Sequence, residues 1–227
     1  MFKYLATHFI PRINNRGFPV DDPAKPLYKH LDWTKSVIGG SYALKQFTGD
    51  NGWEPNDIDI LTAHNSKDEF DQYCNDVESN SKLNFVKSTQ RDGNDRVVSF
   101  DKTGNKIEDK HIDEFGDHEM FHDLIKESKT YNWNNYKVQM VYIKPQEGRS
   151  LQSVLAETTD SPSCVSFHIE RYHPKTICGI DSSQLVEEKI FHVPSKGLQL
   201  LMTGQGISSD ICKSRKRKYE DRGYKYN

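Results

Sequence analysis

The chain has 227 residues, with 31 Lys and Arg against 33 Asp and Glu, for a net charge of −2. That balance excludes a uniformly basic nucleic-acid binder but is compatible with a local basic patch. Hydrophobic residues make up 34% and aromatics 11%; an average domain has roughly 45–50% apolar residues, Gly included, and disordered chains lack aromatics, so the composition describes a folded domain with a thin core and long polar loops.

The cysteines are Cys74, Cys164, Cys178 and Cys212, and none forms a CxxC pair. This argues against a zinc ribbon or a disulfide scaffold and suits a reducing compartment. No apolar h-region follows Met1, and no apolar run approaches the ~20 residues that span a bilayer. A cytoplasmic or nuclear location is expected, without secretion or a membrane partner.

Residues 1–34 carry turn signals (Asn14-Asn15-Arg16-Gly17, Asp21-Asp22-Pro23) and read as an N-terminal arm with one short helix at 26–32. An apolar segment at 36–39 ends in Gly39-Gly40-Ser41, and residues 42–47 follow with helical spacing. Residues 48–56 are a loop by composition. Residues 57–62 alternate polar and apolar side chains, as a half-buried strand does. Ser66 and Glu69 form a capping box for a helix running to about 78. Strands are expected at 84–90 and 95–101 around Asp92-Gly93-Asn94. A charged loop is expected over 103–118 and a helix over about 117–129. Residues 136–143 read as the clearest strand, ended by Pro145. A short helix at 150–157, a hairpin of 163–170 with 175–180, and a short helix at 196–203 complete the reading before a charged tail that starts as a helix. These elements divide into an arm (1–35), a core (36–145), a C-terminal extension (146–212) and a basic tail (213–227).

Two features carry chemistry. Gly39-Gly40-Ser41 joins a strand to a helix. A glycine pair lets backbone approach a ligand, and the following helix start offers unpaired N–H groups and partial positive charge to phosphate. Asp57 and Asp59 are the second feature. Residues i and i+2 of a strand share a face, about 7 Å apart at Cα. Two carboxylates there repel unless a cation lies between them, and Mg²⁺ (or Mn²⁺) fits hard oxygen ligands completed by water and phosphates. Taken singly, each feature also reads as an ordinary turn or a solvated strand edge.

Together, VIGGSYAL followed by NDIDIL resembles the active-site corner of the polymerase-β-like nucleotidyltransferases. The resemblance implies an α+β fold with a small mixed β-sheet and helices mainly on one face. It implies that Gly39, Gly40 and Ser41 hold a nucleoside triphosphate, that Asp57 and Asp59 bind metal, and that the chain transfers a nucleoside monophosphate to a hydroxyl. The Ser41-to-Asp57 spacer is longer than usual for that family. The family's third carboxylate is expected on strand 136–143, where the fitting position is Gln139. An amide orients a hydroxyl but takes no proton. Asp160 is the substitute carboxylate. A non-catalytic nucleotidyltransferase-fold binding protein is the alternative. A broader resemblance, through Lys137–Val141, Asp160, Arg217-Lys218-Tyr219 and Arg222-Gly223-Tyr224, is to nucleotidyltransferase-like proteins of fungi and large DNA viruses.

Two further motifs compete. His118-Glu119-Met120-Phe121-His122 matches HExxH, a zinc-hydrolase pattern when helical. Gly116 and Asp117 just before it disfavour a helix interior, which favours a solvated face. Lys213 to Lys218 holds five cations in six residues. It reads as a nucleic-acid contact, as a solvated tail, or as cations for a triphosphate.

Overall fold

The computed structural model describes residues 22–49, 52–92, 96–111, 125–158, 164–172, 186–206 and 213–227. A 3₁₀ helix, Lys25–His30, packs Leu27 and Tyr28 into the core. Strand β1 (Ser36–Gly39) then runs directly into helix α1 (Gly40–Thr48), followed by β2 (Asp57–Ala63) and α2 (Lys67–Ser81). The Ser66 hydroxyl accepts from the Glu69 N–H, so the capping box forms as expected. Strands β3 (Asn84–Asp92), β4 (Arg96–Phe100), β5 (Lys106–His111), β6 (Ile125–Trp133) and β7 (Tyr136–Ile143) follow. Then come α3 (Leu151–Thr158), β8 (Ser166–Tyr172), β9 (Val186–His192), α4 (Ser195–Thr203), β10 (Gln205–Gly206), α5 (Lys213–Glu220) and β11 (Lys225–Tyr226).

The class is α+β, but the sheet is large. Nine strands run in the order β5-β4-β3-β6-β7-β2-β1-β8-β9. β2 and β7 pair in parallel and the other neighbours are antiparallel, so the sheet is mixed. The expectation of a small sheet is corrected by three strands that local pattern hid. β5 occupies the expected charged loop because its charges pair across strands, Glu108 with Lys87 and Asp109 with Arg96. Residues 125–129, expected as helix, belong to β6. There the inward Glu127 is 3% exposed and accepts from Ser88 Oγ at 2.6 Å and Lys67 Nζ at 2.5 Å. A buried, satisfied carboxylate masks the alternation that periodicity needs. A two-residue turn with Asn134 at φ +52° then closes the β6–β7 hairpin. β8 pairs with β1 and with β9 (186–192); residues 175–180, expected in a hairpin with 163–170, lie outside the described residues along with 117–124.

Alternation along β2 divides the core. Ile58 and Ile60 face the larger cluster, shared with the 3₁₀ helix, α1, α2, α4 and α5 through Leu27, Leu44, Phe70, Leu200 and Tyr219. Leu61 faces the other way and joins Val37, Val141 and Ile143 under α3, with Val154 and Leu155. Five helical elements therefore serve one face and α3 the other. The chain end is not a loose tail. Tyr219 and Tyr226 are 1% and 8% exposed, and β11 pairs with β10 in parallel. Among the described residues, no helix is long and apolar enough to cross a membrane.

Candidate active site

Asp57, Asp59 and Leu61 share the α3 face of β2 by the two-residue period, and α3 packs on Leu61. The Asp57 and Asp59 end is left polar. Its neighbours follow from register. Asp59 is flanked by Gly39 on β1 and by Gln139 on β7. Asp57 lies beside Lys137, and Thr130 and Asn132 of β6 stand across from Gln139 and Lys137.

The glycine turn meets this pair directly. Gly39 is extended (φ −122°, ψ −169°) and caps α1 without a side-chain hydrogen bond. Gly40 has φ +68°, a left-handed conformation that favours glycine. A Cβ on Gly40 would sit 2.6 Å from Asp59 Oδ2, so the missing side chain makes room for the carboxylate. A Cβ on Gly39 would meet Leu61 Cδ1 at 2.8 Å. Ser41 is 4% exposed in the first turn of α1. That turn leaves backbone N–H groups without helical partners, beside the carboxylates.

Asp59 is held in an unusual state. Burial raises its proton affinity, the charge of Asp57 raises it further, and Arg215 and Lys218 oppose both, leaving the pKa at about 7. Lys218 is depressed below the usual lysine range by burial and by Arg222, while Asp57 and Asp59 pull it back up. The basic helix α5 therefore acts on the acid pair. Its position is fixed by Tyr219 in the core and by Arg222, whose guanidinium lies 3.9 Å from the Trp53 ring centroid. Trp53 sits in the loop that leads into β2. The composition of 213–218 marks these cations, but their influence on Asp59 joins residues far apart in the chain and leaves no local signal.

No protein-family model matches the chain, and no curated protein matches it.

The structure thus brings together Gly39, Gly40, Ser41, Asp57 and Asp59, and adds Arg215 and Lys218. Gln139 stands beside Asp59 on β7. Asp160 and the HExxH segment 118–122 lie outside the described residues. Among the described residues, no group of three His, Cys, Asp or Glu side chains is placed to share a metal. A cavity of about 550 Å³ lies on the opposite face of the sheet, lined by Lys67, Asp71, Glu127, Lys129 and Tyr131 among others, and is separate from the acid pair.

Proposed function

We propose that this protein transfers a nucleoside monophosphate from a nucleoside triphosphate to an acceptor, releasing pyrophosphate. The observation that carries the reading is the contact of the Gly40 turn with Asp59, on the face where Asp57 and Asp59 stand together. The chemistry of the donor set fits Mg²⁺ or Mn²⁺. Two hard carboxylates share one strand face, and burial first, then the charge of Asp57, raises the pKa of Asp59 to about 7, a cost that a cation between them would offset. Asp57 and Asp59 would hold the cation, which when bound supplies Lewis-acid charge at the phosphoryl group and the leaving oxygen.

The chain's own groups do the rest. Gly39 and Gly40 let backbone approach the phosphates, and the start of α1 with the Ser41 hydroxyl donates to them. Arg215 and Lys218 offset polyphosphate charge from the α5 side, and the same helix is a surface for a nucleic-acid partner. A second reading, nucleotide binding without transfer, is favoured by Gln139 beside Asp59, because an amide cannot take a proton from a hydroxyl. Pyrophosphate release with each of the four nucleotides and Mg²⁺ separates the two. Release that disappears in Asp57→Asn/Asp59→Asn supports transfer; binding without release supports the second reading.

A further inference from the structure

Gln139 and Lys137 define what the acceptor must be. Both lie on β7, in register with Asp59 and Asp57 respectively, on the same sheet face. Gln139 is half-buried and Lys137 exposed, and neither side chain has a hydrogen bond or ion pair among the described residues. One offers two N–H donors, the other an ammonium with three. Thr130, 8% exposed, adds a hydroxyl across from Gln139. The groups beside the acid pair on this strand are thus donors, one of them cationic.

A hydroxyl acceptor must lose its proton as it attacks phosphorus, and a flanking carboxylate is the usual means. An acceptor already carrying an anionic oxygen needs no base and is held by donors and positive charge. We infer that the acceptor is a phosphate monoester, bound by Lys137 and Gln139; the inference rests on the nucleotidyl-transfer reading of the same site. A dianion matches an ammonium and an amide better than a carboxylate monoanion does. An anionic oxygen of the monoester attacks the α-phosphorus of the triphosphate. The new bond joins that oxygen to the α-phosphorus. The bond from the α-phosphorus to the bridging oxygen breaks, and pyrophosphate leaves with that electron pair. No proton is transferred, and the product carries a new P–O–P linkage.

The test uses the full chain with Mg²⁺ and an α,β-methylene triphosphate analogue, which occupies the nucleotide position without reacting. Inorganic phosphate is titrated as the acceptor probe against this complex, in wild type, Lys137→Ala and Gln139→Ala. The expected result is phosphate binding weakened about tenfold or more in each variant, the loss of one charge-assisted hydrogen bond or more, with affinity for the analogue unchanged. With reactive triphosphate, wild type converts glycerol phosphate, and not glycerol, to a nucleotidyl adduct. Unchanged phosphate affinity in both variants, or an adduct on glycerol, overturns the inference while the transfer reading stands. Failure of the analogue to bind wild type removes the transfer reading itself.

Discussion

The carboxylate of Asp59 lies against the α-carbon of Gly40, and a Cβ placed there would stand 2.6 Å from Asp59 Oδ2. This contact joins two segments that sequence alone connects only by a motif. It sets the turn against the acid pair, with no room for a side chain between them.

Gly40→Ala therefore suffers twice. The left-handed backbone costs about 1–2 kcal/mol for a residue with a Cβ, and the methyl group displaces Asp59. Gly104 also has a positive φ, +84°, but nothing lies within 4 Å of its Cβ position. Gly104→Ala is expected to lose about 1 kcal/mol and keep metal and nucleotide binding. Gly40→Ala is expected to lose about 2 kcal/mol or more and to lose binding. Denaturant melts with binding titrations on both variants measure the difference.

Asp59 predicts a pH dependence with a definite sign. Its folded pKa, about 7, lies above the ordinary aspartate value of 3.8. The folded state therefore keeps a proton that the unfolded chain loses, and this contribution is fully present below about pH 4. It falls away as pH rises towards 7. Asp59→Asn removes the cost of ionising a buried group, so in the absence of metal it should be more stable than wild type at pH 8, on the order of 1–2 kcal/mol after allowing for partial exposure. The two proteins should converge towards pH 4. Melting curves across this range, taken with a chelator, show it. In wild type, Mg²⁺ affinity should rise as pH increases through about 7, because cation and proton compete for Asp59.

The basic helix supplies a separate prediction. Lys218 lowers the proton affinity of Asp59, so Lys218→Met should move the pH midpoint of Mg²⁺ binding upward and weaken triphosphate binding. A nucleoside without phosphates should bind both proteins alike. Calorimetric titration at several pH values reads both effects.

Docking of the chain end should matter at a distance. A Cβ on Gly206 would overlap the Tyr226 ring, although Gly206 has no positive φ. Gly206→Ala is expected to loosen residues 213–227 and, through α5, to weaken triphosphate binding, with β1, α1 and β2 unchanged. Hydrogen exchange resolved by segment checks this: faster exchange confined to 213–227 is the expected pattern.

Much of the site's heart was legible because its logic is local. A glycine turn between strand and helix, an alternating Asp-Ile-Asp-Ile strand and a Ser66–Glu69 cap are each set by neighbours within a few residues. The strands that widened the sheet were not legible for a physical reason. Glu127 and Lys129 point inward along β6 because Lys67, Ser88 and Asp71 satisfy them, and partners so far away in sequence leave no periodic trace. β5 carries charges at Lys106, Glu108, Asp109 and Lys110, and its ion pairs with Lys87 of β3 and Arg96 of β4 neutralise charges that read as a loop. The basic helix was visible as composition, but its electrostatic reach to Asp57 and Asp59 depends on Tyr219 and Arg222 packing back onto the body of the fold. Residues 136–143 were expected as a strand, and β7 carries Gln139 in register with Asp59.

The central claim is that Asp57 and Asp59 hold a cation that brings a nucleoside triphosphate to the Gly39-Gly40-Ser41 turn. Isothermal titration of ATP, GTP, CTP and UTP into the full chain, with Mg²⁺ or with a chelator, and into the Asp57→Asn/Asp59→Asn variant, tests it most directly. The expected result is binding of at least one nucleotide that requires Mg²⁺ and is lost in a variant at least as thermally stable as wild type. Binding of equal strength in wild type and variant, or no binding of any nucleotide with Mg²⁺ present, would contradict it.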